Sequence, residues 1–500
     1  MNYKRSSGII LHPTSLPGPD GIGDLGPEAY RWIDFLAQTG CSLWQILPLG
    51  PTGYGDSPYQ CFSAFAGNPY LVSPVMLLEE DLLSPRDLAD RPIFSDNAVD
   101  YGSVIQWKLT LLDRAFAHLP GASKKIRDEL QQFHEAEKTW LDDFALFMAI
   151  KESQGGFSWD QWEPGLRDRS EPALSEFTHH NQESIDKHIF RQFLFFRQWS
   201  AVRKYANDKG VKVIGDIPIF VAYDSADAWA NRDLFFLDEE GKPTVVAGVP
   251  PDYFSPTGQL WGNPLYRWDV HRQTGYAWWQ KRISAMLRLV DIIRLDHFRG
   301  FAGYWEVPAG NQTAEFGRWV PGPGLDLFLA IREALGGDLP IIAEDLGEIT
   351  PDVIELRDTL GLPGMKIFQF AFSSDPTDPF LPHNYPVNCV AYTGTHDNDT
   401  TLGWFKTAPP AEQKFCRAYL NTSGETITWD MIYVLWRSAA VMTLAPMQDF
   451  LTLDTDARMN FPGRASGNWT WRMPVDATGA SMIGKIQAIN HLFRRHSREK

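Results

Sequence analysis

Apolar residues follow two rhythms along this chain. Short, mainly apolar runs occupy residues 7–11, 43–49, 211–217, 291–295, 340–344, 365–370, 389–395 and 441–446. Runs of that length, rich in Val, Ile and Leu and bounded by turn residues, suit strands buried on both faces. Between them the period lengthens to that of a helix. Behind Pro27, residues Ala29, Trp32, Ile33 and Leu36 fall at i, i+3, i+4 and i+7, and Gly40 ends the pattern. The same signals recur at 325–335, stopped by Gly336, at 350–360, capped by Thr350, opened by Pro351 and stopped by Gly361, and at 483–493. Eight strands separated by helices predict an α/β chain folded as a (β/α)8 TIM barrel rather than as an open sheet.

The alternation breaks twice. Nothing strand-like follows residue 49 until 211, far more chain than a crossover helix needs, so 67–182 is expected to be an inserted, mostly helical subdomain with helices near 107–119 and 139–151. A helix at 185–208, carrying Ile189, Phe193, Phe196 and Val202, leads back to the barrel. A second insertion is expected at 222–275, between strands three and four. Within it, 248–264 holds four prolines and three glycines around Tyr253, Phe254 and Trp261, a composition that suits either a stiff loop presenting aromatics or a plain connector. Residues 1–500 otherwise read as one catalytic barrel.

Composition narrows the partners. The formal charge is −16 and no basic run is present, which disfavours nucleic acid and anionic membranes. No run of 18 apolar residues and no apolar leader at the N-terminus occur, so a cytoplasmic protein is expected. Cys41, Cys61, Cys389 and Cys416 lack C-x-x-C spacing and fit a reducing compartment. With 19 Trp, 16 Tyr and 31 Phe the chain is rich in aromatics. Such rings either fill the core or line a groove for a neutral ligand.

Charge gathers at the predicted strand ends. Arg294, Asp296, His297 and Arg299 crowd the end of the fourth run, and burying such ions costs several kcal/mol each unless they are paired. Strand three brings Asp216, strand five Glu344 and Asp345, strand seven His396 and Asp397. Barrel chemistry sits at these C-terminal ends. Strands spaced about 4.8 Å apart bring carboxylates at the tips of strands four and five to about 5 Å, the separation of a retaining glycoside mechanism. Arg294, two residues before Asp296, shares its face and would keep Asp296 ionised, leaving Glu344 protonated. Asp397 would face the pair across the mouth. A lone strand-end aspartate often caps a helix or accepts a loop hydrogen bond, but three acids on separate strands point to catalysis. A metal centre built from His12, His297, His396 and carboxylates lacks H-x-H or H-E-x-x-H spacing, so neither metal nor cofactor is expected.

These residues lie in motifs that run nearly the whole length: S-S-G-I-I-L-H-P-T-S-L-P-G-P-D-G-I-G-D-L-G, P-L-G-P-T-G-Y-G-D-S-P-Y, G-D-I-P-I-F-V-A, R-L-D-H-F-R-G, A-E-D-L-G, G-T-H-D-N-D-T and N-F-P-G-R-A-S-G-N-W-T-W-R. Together and in this order they resemble the amylomaltases, or 4-α-glucanotransferases, of the α-amylase superfamily. The resemblance implies that Asp296 is the nucleophile, Glu344 the general acid/base, and Asp397 the carboxylate that grips the donor sugar. It implies sugar-binding roles for Asp216, Arg294 and His396, with Tyr54, Ser57 and Trp261 lining donor and acceptor sites and Asn460 and Asn468 contributing after strand eight. It further implies no C-terminal β-sandwich, no structural calcium, and α-1,4-glucans and maltooligosaccharides as substrates, with glucose as an acceptor, in starch, glycogen or maltose metabolism. The helical insertion is where members differ, so a secondary site near Tyr101 is not carried over.

The three carboxylates alone do not separate transfer from hydrolysis, because water and a sugar hydroxyl release the same covalent intermediate. Exclusion of water decides the partition, and 248–264 is the lid candidate. Transfer is the favoured reading. A plain α-glucan hydrolase and a catalytically silent carbohydrate-binding protein are the rivals.

Overall fold

The computed structural model describes residues 3–251, 255–464 and 466–496, with the side chain of Tyr54 left aside. Eight parallel strands close a barrel: β1 (Ser6–Ile10), β2 (Leu43–Gln45), β3 (Lys212–Pro218), β4 (Ile292–Asp296), β5 (Ile341–Ala343), β6 (Gly364–Ile367), β7 (Cys389–Tyr392) and β8 (Met442–Pro446). Each pairs with its sequence neighbours, and β1 closes on β8. Helices follow the strands, as in Pro27–Thr39 and Pro351–Leu360. Both stop at a glycine in the left-handed region, Gly40 at φ 78° and Gly361 at φ 68°, where a Cβ would be strained.

The two-residue period of the strands divides the core. Ile214, Ile292, Ile342, Val390 and Leu444 pack together in one cluster that fills the barrel, whereas Val213, Ile293, Ile341, Ala391 and Ala445 pack outward against the helices. Two residues beyond the lumen layer, on the same face, come Asp216, Arg294 and Glu344, and two beyond Arg294 comes Asp296. The alternation of each strand thus stacks charge directly above an apolar plug.

Between β2 and β3 run the helices Tyr101–His118, Lys124–Ser153 and Glu171–Asp208, the last two packed side by side and the last leading into β3. Helix 185–208, as expected from sequence, is only the second half of Glu171–Asp208, which bends at Asn181. The proline-rich stretch 248–264 differs from an irregular loop. Its ends belong to the antiparallel strands Val245–Val249 and Gln259–Pro264, which join Gly303–Pro308 and Arg318–Pro321 in a separate four-stranded sheet. Tyr253 and Phe254 lie outside the described residues. Among those described, no strand follows β8, and no helix is long and apolar enough to cross a membrane.

Candidate active site

Arg294 is the hub of the charged layer. Its Nη1 lies 2.8 and 2.7 Å from the two oxygens of Asp216, and its Nη2 lies 2.9 Å from Asp296 Oδ1. Asp216 is fully buried and also accepts from the Tyr59 hydroxyl at 2.8 Å. Here its oxygens hold Arg294 and Tyr59 in place.

Glu344 follows β5 and stands beside Asp296 in the β4–β5 register, in which Leu295 pairs with Ala343. His297 adopts a left-handed backbone, φ 55° and ψ 48°, which is costly for a residue with a Cβ. That turn directs its N–H to Glu344 Oε2 at 2.7 Å, and Leu346 N donates to Oε1 at 3.0 Å. Burial and then the negative charge of Asp296 push the Glu344 carboxyl up to about 8, against the opposing pull of Arg294 and the two amides. Asp345, one residue on, points to the opposite face, where it accepts from Met365 N and pairs with Arg357. It belongs to the barrel wall.

His396 and Asp397 arrive from the segment after β7. His396 Nε2 lies 3.3 Å from Asp397 Oδ2 and 2.9 Å from the Tyr59 hydroxyl, and the Tyr59 and His396 rings stack with centroids 5.2 Å apart. Asn460 Nδ2 donates to Asp397 Oδ1 at 2.6 Å. Burial alone would raise the Asp397 carboxyl, but His396 and Asn460 hold it well below the ordinary range. Burial likewise opposes the charged His396 ring, and Asp397 more than offsets it, raising its pKa above that of a free imidazole.

Asp296 and Asp397 open on a groove whose lining also includes Ser57, Tyr59, Trp261 and Asn460. Trp261 stands edge-on to the His297 ring, centroids 4.8 Å apart, on the strand Gln259–Pro264. Asn468 is mostly spent on shape: its Oδ1 accepts from Phe461 N and its Nδ2 donates to Arg464 O. Ser57 Oγ accepts from Tyr59 N at 3.2 Å, and the Tyr54 side chain lies outside the described set. Tyr101 is buried, its hydroxyl donating to Trp469 O, so it presents no surface platform. Sequence reasoning missed Tyr59, although it ends the quoted motif P-L-G-P-T-G-Y-G-D-S-P-Y. It missed Arg458 as well, which donates to the Asp397 and Asn460 carbonyls. Nothing in an irregular Gly/Pro loop marks one tyrosine over another.

A family model described as 4-alpha-glucanotransferase matches residues 11–477. The chain belongs to the 4-α-glucanotransferase family. It is 52% identical over 482 residues to a 4-alpha-glucanotransferase of Thermus thermophilus, covering 95% of each chain, and 50% identical over 499 residues to one of Synechocystis, covering 99% of each. Among solved structures, an amylomaltase from Streptococcus agalactiae in complex with acarbose superposes with a TM-score of 0.96 at 40% identity, over 99% of this chain and 100% of that one. An amylomaltase from Corynebacterium glutamicum, 20% identical with a TM-score of 0.77 over 98% and 74%, shares the fold. This 4-α-glucanotransferase is thus an enzyme built on a (β/α)8 barrel, and its charged barrel mouth is where that activity has to be explained.

Proposed function

We propose that the enzyme transfers a segment of an α-1,4-glucan to the 4-hydroxyl of another glucan or of glucose by a retaining double displacement. In the first step an Asp296 oxygen attacks the anomeric carbon as the bond from that carbon to the leaving glycosidic oxygen breaks, and the Glu344 proton passes to that oxygen. A β-glucosyl ester on Asp296 and a Glu344 carboxylate result. In the second step an acceptor 4-hydroxyl attacks the same carbon, its proton passes to Glu344, and the ester bond breaks to free Asp296. Two inversions restore the α configuration. When the acceptor is the far end of the transferred chain itself, the product is a cycloamylose.

The observation that carries this reading is the asymmetry between adjacent carboxyls. Asp296 touches a guanidinium, whereas Glu344 is pushed up to about 8 and so holds a proton at neutral pH. Asp397, held ionised by His396 and Asn460, is placed to accept donor-sugar hydroxyls and to favour distortion of the ring. Trp261 beside His297 supports a role in covering the intermediate and in favouring a sugar acceptor over water. A ring-fluorinated α-glucosyl fluoride, whose glycosyl-enzyme turns over slowly, tests the chemistry. Intact mass should rise by one fluoroglucosyl unit, mapped to the peptide containing Asp296. An adduct elsewhere, or none despite fluoride release, would contradict the covalent route.

A further inference from the structure

His12 and His396, both nearly fully buried, line one small pocket behind the barrel mouth, together with Ser15, Asn398 and Gln448. Neither ring's state on that side is free to vary. His12 Nδ1 accepts from Leu47 N at 3.2 Å, so in the neutral ring the hydrogen resides on Nε2. Burial drives the His12 pKa down to about 3, so the ring is neutral across the working range. On His396 the accounting runs the other way. The Tyr59 hydroxyl spends its hydrogen on Asp216, and Asp397 is a carboxylate. Both neighbours of His396 Nε2 are therefore acceptors, and Nε2 must carry a hydrogen. His396 Nδ1 is left buried without a partner among the described residues, a condition that costs about 1–3 kcal/mol unless it is relieved.

We propose that His12 is a positioning residue for His396, acting through an internal water that accepts from His12 Nε2–H and meets His396 Nδ1, so that the Nε2–H of His396 stays turned to Tyr59 and Asp397. The pocket walls are mostly apolar, but His12, Ser15, His396, Asn398 and Gln448 give it the few polar groups that a bound water needs. In the neutral His396 ring the water donates to Nδ1, and in the charged ring its oxygen accepts from both imidazoles, so the bridge survives either state. The charged and titratable groups around the pair are Asp216, Arg294, Asp397 and Tyr59 on the groove side and Asp399 and Arg458 on the pocket wall. The inference rests on the proposed role of Asp397 as the donor-sugar grip, since His396 is what orients that carboxylate.

The test pairs His12→Phe with His12→Gln in the full chain labelled with 15N on histidine. Glutamine keeps an acceptor for Leu47 N and a donor for the water, and phenylalanine keeps only the ring volume. In the wild type at alkaline pH, His396 should show a protonated Nε2 and a bare Nδ1. His12→Phe should shift the His396 Nδ1 resonance while Nε2 stays protonated, and raise KM for maltotriose about tenfold with a smaller change in kcat, the loss expected for one hydrogen bond, and His12→Gln should restore KM to within about twofold. A His12→Phe enzyme with lowered Tm but an unchanged His396 Nδ1 resonance and KM would overturn the proposal and leave His12 a structural residue. So would a failure of His12→Gln to rescue. If His12→Phe does not fold, the wild-type spectrum still decides, because a protonated Nδ1 with a bare Nε2 contradicts the assignment. Loss of the fluoroglucosyl adduct on Asp296 would overturn the proposed chemistry without touching this tautomer, so the two failures are separable.

Discussion

The backbone of His297 turns into the left-handed region and, in doing so, places its amide N–H 2.7 Å from Glu344 Oε2. The acid is thus held at a fixed orientation by the strand that also supplies Asp296. Its raised pKa has a thermodynamic consequence. Between the ordinary 4.5 and about 8 the folded chain keeps a proton on Glu344 that the unfolded chain releases, so this group's contribution to stability declines as pH rises through that window. Glu344→Gln should therefore gain Tm over the wild type progressively from about pH 4.5 to about pH 8 and level off above, while losing about 10²–10⁴-fold in kcat. Wild-type kcat/KM should fall as pH rises past about 8. A Tm difference independent of pH would contradict the protonated state.

Arg294 joins two carboxylates through one planar fork. Removing the charge in Arg294→Met leaves Asp216 buried without its cation, and denaturant unfolding should report a loss of about 3–5 kcal/mol. Arg294→Lys keeps the charge but not the fork that spans both acids, so it should retain part of the stability and little activity. Equal stability of Arg294→Met and wild type would remove Arg294 from the centre of the site.

Much of this hub was readable in the chain, because each strand writes its lumen face at every second residue: Ile292, Arg294 and Asp296, or Ile342 and Glu344. The same rule, not applied to Asp345, would have sent that residue to the outer face. What the sequence did not disclose lies off the barrel. The strands Gln259–Pro264 and Arg318–Pro321 are short, largely exposed and punctuated by Gly or Pro, so they lack the buried run or alternation that marks a strand. Tyr59 and Arg458 reach the site from irregular segments, where only the folded path brings them near Asp397; Asn460, from such a segment too, was named through the resemblance alone.

Asn460 donates to Asp397 at 2.6 Å, a hydrogen bond to a charged acceptor worth about 1.5–3 kcal/mol. Asn460→Ala should raise KM for maltotriose about tenfold or more with the fold intact by circular dichroism. An unchanged KM would mean that Asp397 does not depend on this partner for its grip.

Trp261 covers the His297 side of the groove. Trp261→Ala should raise the ratio of hydrolysis to transfer, measured as reducing ends released per longer glucan formed. An unchanged ratio would remove this strand from water exclusion and leave its role to acceptor binding.

The most direct measurement is incubation of the pure enzyme with maltotriose alone, following both the oligosaccharide ladder and total reducing ends. Transfer through Asp296 predicts longer and shorter glucans at constant reducing ends, abolished in Asp296→Asn. Rising reducing ends without longer products, or a ladder that survives Asp296→Asn, would contradict the account.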